Sequence, residues 1–251
     1  MLDDDQLLRY SRQILLNDFD VAGQERLLAA RVLVVGLGGL GCPAALYLAA
    51  AGVGELLLAD DDVVEVSNLQ RQIAHGDADI GSTKASSAAA AIAALNAATK
   101  VEVIERRLAE EDLPPLLARV DLVVDATDNY SSRFALNRAC IAAGLPLVSA
   151  AAVRGEAQLA VFDPVRGGPC YRCLYTPGGD DTALNCAESG VLAPLVGVVG
   201  SMQALEALKL IAGFGEPLTG ALLVMDFATM EFRRLVLNAK PDCPDCSHLQ
   251  R

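Results

Sequence analysis

The stretch RVLVVGLGGLG at residues 31–41 decides the fold of this chain. It begins with a short run rich in β-branched side chains that stops at glycines, which predicts a strand. The segment that follows, CPAALYLAAAG, has helical composition, and its proline falls in the first helical turn, where proline is tolerated. A glycine turn between a strand and a helix is the setting of the GxGxxG motif, because small residues let backbone N–H groups at the helix N-terminus approach a phosphate. The stretch therefore predicts a nucleotide site in an α/β fold.

The same alternation of strand and helix continues along the chain. Apolar strands are predicted at residues 55–60, 100–105, 121–127 and 146–153, with helices near 82–96 and 131–143. Such a pattern indicates a Rossmann-like, mostly parallel sheet with helices on both faces. After Arg154, the segments GEAQLAVFDP, ALLVMDF and EFRRLVLN predict antiparallel strands around a helix that begins near Val191. We expect one domain over residues 1–251, with an N-terminal helical segment (1–30), a nucleotide-binding core (31–153) and an antiparallel part with two cysteine pairs (154–251).

Composition limits the classes of partner. The 251 residues carry a net charge of −12 and no Trp, whereas a nucleic-acid surface would need a basic stripe. The chain opens MLDDDQLLRY, which is acidic and helical rather than secretory, so we expect a cytoplasmic protein. The apolar stretch at residues 191–213 is predicted to be a buried amphipathic helix and not a membrane span, because Gln203, Glu206 and Lys209 would give it one water-facing side.

Charged residues after the strands narrow the nucleotide chemistry. Asp60 ends the second strand, 19 residues after Gly41, where a carboxylate can accept hydrogen bonds from a ribose. The glycine turn and Asp60 alone fit an NAD-dependent oxidoreductase equally well. Arg71 and Lys84 favour nucleotidyl transfer, because that reaction must neutralise a developing polyphosphate.

Asp128 and its neighbour Asn129 follow the fourth strand, at the carboxyl edge of the sheet where ligands bind in this architecture. An aspartate there suits a magnesium ion that bridges phosphate oxygens. The alternative is that Asp128 or Asn129 caps the helix that follows.

Together these motifs resemble the MoeB/ThiF adenylyltransferases, bacterial relatives of ubiquitin-activating enzymes. The residues that carry the resemblance are GLGGLG, Asp60, SNLQRQ at 67–72, Lys84, DATDN at 125–129 and RYSRQ at 9–13. The resemblance implies that ATP adenylates the C-terminal Gly-Gly carboxylate of a small ubiquitin-like (β-grasp) sulfur carrier and that pyrophosphate is released. It implies catalytic roles for Arg71, Lys84, Asp128 and Arg12, and an ATP-binding set of Gly39, Asp60, Ser67, Asn68, Leu69, Gln70, Arg71, Lys84, Asp128 and Asn129. In the family pattern Asp128 would hold Mg²⁺, and Arg12 would reach into the site of a partner subunit, which implies a homodimer.

Four of the seven cysteines form two CxxC pairs, Cys170 with Cys173 and Cys243 with Cys246. Two such pairs are typical of a tetrahedral zinc site, although the 69 intervening residues exceed the spacing of a zinc ribbon. The resemblance favours structural zinc at these four positions. The alternative is a redox pair, which we disfavour because neither pair opens a predicted helix that would lower a thiol pKa.

The remaining cysteines have different surroundings. Cys42 and Cys140 fall in apolar helices and are predicted to be small buried side chains. Cys186 lies in the polar segment TALNCAESG, in a position similar to that of a sulfur-transfer cysteine of the family, but an exposed thiol without a role is an equal alternative. His75 is predicted to have a surface or packing role.

The pathway is less determined than the reaction. The segments GEAQ, CYRC and ESGVLAPLVG are more similar to the molybdopterin branch of the family, whereas Asn185 and Cys186 are more similar to the thiazole branch. Without an appended rhodanese domain, the sulfur donor is expected to be a separate protein. A scaffold that binds the carrier without catalysis and an NAD-dependent oxidoreductase remain as alternatives.

Overall fold

A computed structural model describes residues 1–176 and 190–249. Within them, eight strands form one sheet in the order β3-β2-β1-β4-β5-β6-β7-β8. The strands are β1 (Arg31–Val35), β2 (Glu55–Ala59), β3 (Lys100–Ile104), β4 (Leu122–Asp125), β5 (Leu147–Val153), β6 (Glu156–Phe162), β7 (Ala221–Asp226) and β8 (Glu231–Val236). The first five strands are parallel, and β6, β7 and β8 add antiparallel pairs. The predicted fold class is confirmed.

Helices cover both faces of the parallel part. They are α1 (Asp4–Arg9), α2 (Ser11–Ile14), α3 (Asp20–Ala29), α4 (Gly41–Ala51), α5 (Lys84–Leu95), α6 (Leu113–Leu117), α7 (Tyr130–Ala143), α8 (Tyr171–Leu174) and α9 (Ala193–Ala212). Alternate residues of β1 point to opposite faces: Val32 and Val34 pack with α4, α5 and α9, and Leu33 and Val35 pack with α6 and α7. Two apolar layers therefore enclose the central strands.

Helix α9 is long and apolar enough to cross a membrane by length and composition, and half of its most apolar window is buried inside the protein. It packs against α3, α4 and β5, which confirms the predicted buried helix. The predicted water-facing side is wrong, because Gln203 is 0% exposed and Glu206 is 3% exposed. Gln203 Nε2 donates to the carbonyl of Asp125 at 2.8 Å, and Glu206 Oε2 accepts from the backbone N–H of Leu218 at 2.7 Å. The polar stripe therefore turns inward, where the Gln203 amide N–H and the Glu206 carboxylate form hydrogen bonds within the protein, while Oε1 of Gln203 has no partner among the described residues.

Candidate active site

An open cleft of about 290 Å³ lies at the carboxyl ends of the parallel strands. Its walls come from the glycine turn after β1, from Asp60 after β2, from Arg106 and Arg107 after β3 and from Asp128 after β4. The carboxyl ends of parallel strands meet at one edge of a sheet, so segments distant in sequence converge there.

The glycine turn needs its glycines. Gly36 has a φ of +88°, and a Cβ there would lie 2.7 Å from the carbonyl oxygen of Ala126. A Cβ at Gly41 would lie 1.8 Å from the carbonyl oxygen of Gly36. Gly36, Gly38 and Gly39 line the cleft directly before helix α4 begins at Gly41. The turn can therefore present unobstructed backbone to a phosphate at a helix N-terminus.

Asp60 is half-buried and connects the turn to the segment after β2. Its Oδ2 accepts from the backbone N–H of Leu37 at 2.6 Å, and its Oδ1 accepts from that of Asp62 at 2.9 Å. Burial raises the pKa of this carboxyl, while the two backbone hydrogen bonds and the nearby Lys84 charge act in the opposite direction. Asp60 therefore orients the glycine turn as well as lining the position expected for a ribose.

Lys84 places a buried cation in the wall of the cleft. It is the first residue of α5, whose N-cap is Thr83. Its side chain is 8% exposed, and its Nζ donates to Oδ2 of Asp62 at 2.7 Å, while the Asp62 side chain is 63% exposed. Among the described residues Asp62 is the hydrogen-bond partner of the ammonium, and because Asp62 remains largely hydrated, the pair lies at the edge of solvent.

The SNLQRQ segment folds into a short 3₁₀ turn, Val66–Asn68, and continues along the cleft. Asn68 and Arg71 line the cleft, and Arg71 Nη1 donates to the carbonyl of Ser67 at 3.0 Å; their contacts with ATP stay predictions. Ser67, Leu69 and Gln70 are not among the lining residues, so their predicted contacts with ATP stay predictions.

Asp128 and Asn129 have separate positions. Asn129 is the N-cap of α7, where its Oδ1 accepts from the backbone N–H of Ser132 at 2.9 Å. Asp128 is exposed and lines the cleft. The helix-capping alternative therefore holds for Asn129, and the Asp128 carboxylate is left at the cleft wall, where it could hold a divalent cation.

Several cleft residues were not predicted. Gln72 is buried, and its Oε1 has no hydrogen-bond partner among the described residues. Arg107 Nε lies 3.1 Å from Oδ2 of Asp61, and Arg106 pairs with Asp112. The double arginine directly after the third predicted strand was the available signal, because the end of a parallel strand is where ligands bind.

Arg133 was also missed, because nothing in the sequence of a surface-like helix marks it as buried. It is 3% exposed and donates to the carbonyls of Thr127 and Ala150. These hydrogen bonds fix the loop between β4 and α7 against strand β5.

Two predicted functional residues lie away from the described cleft. Arg12 is exposed on α2 and is not among the residues that line this chain's own cleft, so its role toward a second copy stays a prediction. Cys186 lies outside the described residues, and its predicted sulfur-transfer role also stays a prediction.

The four paired cysteines converge in one buried cluster. The Sγ atoms of Cys170 and Cys173 are 3.8 Å apart, and Cys170–Cys243 and Cys173–Cys246 are each separated by 3.6 Å. Four thiolates around a zinc ion at about 2.3 Å would be separated by about 3.8 Å along each tetrahedral edge. The cluster therefore fits a tetrahedral metal ion.

One argument against a redox pair is wrong, because Cys170 is the N-cap residue of α8. The convergence of both pairs, rather than the absence of a helix, is what favours metal binding. Cys42 and Cys140 are buried as predicted, and burial raises the pKa of the Cys42 thiol to about 12.

Comparison with known proteins agrees with this geometry. The family model of the ThiF family matches residues 10–245. Molybdopterin-synthase adenylyltransferase of Escherichia coli (strain K12) is 49% identical over 245 residues, which cover 98% of each chain. Adenylyltransferase and sulfurtransferase MOCS3 of Mus musculus is 52% identical over 244 residues, 96% of this chain and 53% of that protein. The crystal structure of E. coli MccB with ATP has a TM-score of 0.83 at 25% identity and covers 95% of this chain and 73% of that one.

Proposed function

Because the chain belongs to the ThiF family, we propose that it is an adenylyltransferase of the molybdopterin-synthase type. It transfers the adenylyl group of ATP to the C-terminal Gly-Gly carboxylate of a small ubiquitin-like sulfur carrier and releases pyrophosphate. The acyl-adenylate is then ready for thiocarboxylation in the biosynthesis of the molybdenum cofactor.

The observation that carries this proposal is the collection of phosphate-handling groups in one cleft. The bare glycine turn faces it, Asp60 lies beside the turn, and Lys84 and Arg71 supply positive charge. A dehydrogenase has no use for cations at this position, whereas transfer at the α-phosphate needs them. A scaffold that binds the carrier without catalysis would not need this combination of glycine turn, Asp60 and cations either.

The reaction requires positioning more than covalent catalysis. A carboxylate oxygen of the carrier attacks the α-phosphorus, a new phosphorus–oxygen bond forms, and the bond to the bridging oxygen of pyrophosphate breaks. Lys84 and Arg71 offset the negative charge that gathers on the leaving group, and backbone N–H groups of the glycine turn orient the phosphates. No side chain of the protein needs to act as a nucleophile in this step.

Two ions accompany the proposal. Mg²⁺ would be held by Asp128, where it would supply charge against the phosphate oxygens. Zn²⁺ would be held by the four buried cysteines and would fix the C-terminal tail to the sheet. None of the four cysteines lines the cleft, so we expect a structural role for the zinc.

The proposal extends to assembly and location. We expect one cytoplasmic adenylyltransferase domain over residues 1–251 that acts as a homodimer, with Arg12 reaching into the cleft of the second copy. A separate protein would donate sulfur, with Cys186 as the candidate acceptor position. We expect no nucleic-acid or membrane partner.

ATP–pyrophosphate exchange tests the reaction and the carrier together. The purified protein and Mg²⁺ are incubated with the molybdopterin-synthase small subunit or with the thiazole-pathway carrier, each intact or lacking its terminal Gly-Gly. Exchange with the intact molybdopterin carrier alone is the expected result. Exchange with the thiazole carrier alone would assign the enzyme to the thiazole pathway instead. No exchange with either carrier would contradict the proposal.

A further inference from the structure

The buried imidazole of His75 connects the glycine turn to helix α5, which carries Lys84. His75 is 8% exposed. Its Nδ1 lies 2.8 Å from Oγ of Ser87, and its Nε2 lies 3.3 Å from the carbonyl oxygen of Leu37. Leu37 belongs to the glycine turn, and Ser87 lies on α5 three residues after Lys84.

The partners of the ring determine its protonation. Nε2 also lies 3.5 Å from Sγ of Cys42, whose thiol donates to the carbonyl of Leu37. Because that thiol hydrogen is used and a carbonyl oxygen can only accept, we assign a hydrogen that points to Leu37 to Nε2. Nδ1 is then an acceptor, and it receives the hydroxyl hydrogen of Ser87. Burial lowers the pKa of His75, and the nearby Lys84 charge acts in the same direction, while the hydrogen bond to Leu37 and the Asp79 and Asp60 charges act against them. The net lowering of the pKa favours the neutral ring that this bridge requires.

The peptide of Leu37 is held at both of its polar groups. Its N–H donates to Asp60, as described above, and its carbonyl also accepts from the Sγ of Cys42 at 3.1 Å. Asp60 directly follows β2, and Cys42 belongs to α4, the helix that begins at the end of the turn. The His75 bridge connects the turn to the helix carrying Lys84 through one side chain, beside a longer route through Asp60 and Asp62.

We propose that His75 is a positioning residue for adenylyl transfer, because its bridge from Leu37 to Ser87 sets the separation between the glycine turn and Lys84. The inference rests on the proposed function for the reaction that it affects. A displacement of about 1 Å between groups that act on one transition state can lower a rate by about 10²-fold. ATP binding is shared among many contacts, so the loss falls on kcat for exchange rather than on KM for ATP.

The substitution His75→Leu tests the bridge, because leucine fills the buried space without offering a hydrogen bond. We expect kcat to fall by about 10- to 100-fold while KM for ATP changes by less than about threefold. His75→Gln can still donate to Leu37 and accept from Ser87, and it is expected to recover most of kcat. Ser87→Ala removes the other end of the bridge and lowers kcat in the same direction.

A double-mutant cycle separates the bridge from two unrelated packing effects. If His75 and Ser87 act through one another, Ser87→Ala has little further effect in the His75→Leu background. Independent packing roles would instead give effects that add. Wild-type kcat in a folded His75→Leu protein, or a Gln variant no better than the Leu variant, would overturn the inference, and Ser87→Ala decides if His75→Leu does not fold.

Amide hydrogen exchange provides a readout that needs no carrier. Peptides covering residues 36–41 are expected to exchange faster in His75→Leu, with peptides from β6 unchanged as the internal reference. If the wild-type protein shows no pyrophosphate exchange, the proposed function fails. Unchanged protection of residues 36–41 would then separately overturn the positioning role.

Discussion

Replacing Lys84 with methionine should remove most of the adenylyl transfer activity while leaving the fold intact. Methionine keeps the length and the apolar stem of the side chain, so the change isolates the ammonium group. The effect on activity and the effect on stability can be estimated separately, because the Lys84 ammonium is buried whereas the Asp62 carboxylate is largely exposed.

The expected magnitude follows from the position of the charge. Two unit charges about 4 Å apart interact by about 4 kcal/mol at an effective dielectric constant of about 20, a value suited to a site at a protein surface. Since each 1.36 kcal/mol corresponds to a factor of ten, the loss in kcat/KM is about 10³-fold. The Asp62 carboxylate left behind is 63% exposed and stays hydrated, so the free energy of unfolding should change by less than about 1 kcal/mol.

The assay is ATP–pyrophosphate exchange over a range of ATP concentrations, with urea unfolding of the same samples. Lys100→Met is the matched control, because Lys100 is an exposed lysine that begins β3, at the opposite end of the strand from the cleft. It should have wild-type kinetics. If Lys84→Met retained more than a tenth of the wild-type kcat/KM, the electrostatic role of this lysine would be refuted.

Four further predictions concern stability. Gly200→Ala would place a Cβ 2.2 Å from the carbonyl oxygen of Leu40 and should lower the free energy of unfolding by about 1–3 kcal/mol in thermal denaturation. Gly197→Ala, in the same helix, would place its new Cβ more than 4 Å from every described atom outside the adjoining helix backbone, and it should be neutral or stabilising by up to about 1 kcal/mol. Removing zinc with a chelator, or removing one ligand by Cys246→Ser, should lower Tm, and the metal released can be measured directly. Burial lowers the pKa of His75, so as the pH falls through about 6.5 its imidazole takes up a proton more readily in the unfolded state than in the folded state. The contribution of His75 to stability should therefore decrease as the pH falls below about 6.5, and His75→Gln should reduce that pH dependence in urea titrations.

The parallel half of the fold could be predicted because β1, β2 and β4 are largely apolar runs that end at glycine or aspartate. The starts of β1 at Arg31, β2 at Glu55 and β3 at Lys100 agree with the predicted boundaries. Helix α6 was not predicted, because LPPLL reads as a break. In the structure its prolines occupy the first turn, where the missing N–H costs nothing.

The spacing of polar residues along the sequence could not show which polar side chains are buried. Gln203 and Glu206 recur as a water-facing stripe would, yet both are buried because tertiary partners meet them. Those partners include the carbonyl of Asp125 and the N–H of Leu218, which are far away in sequence. A polar residue on an apolar helix therefore has two readings, and only the structure decides between solvent and a buried hydrogen bond.

Some residues of the candidate site could likewise be predicted from the sequence, and others could not. Gly39, Asp60 and Asp128 could be placed at the cleft because each lies at or shortly after the carboxyl end of a predicted parallel strand. Gln72 and Arg133 could not, because each is positioned by folding of the segment around it rather than by the end of a strand.

Buried polar groups also explain how an exposed residue such as Asp128 can be held accurately. The carboxylate of Asp125 accepts from the N–H and the hydroxyl of Thr127 at 3.1 and 2.6 Å, and from the hydroxyl of Ser149 at 2.7 Å. Arg133 donates to the carbonyl of Thr127 from α7, and Gln203 donates to that of Asp125 from α9. Strand β5 and two helices thus fix the backbone that precedes Asp128, while its own side chain stays in the cleft. Because a hydrogen bond inside the protein is stronger than one in water, these residues can set the accuracy of the site without contacting a substrate.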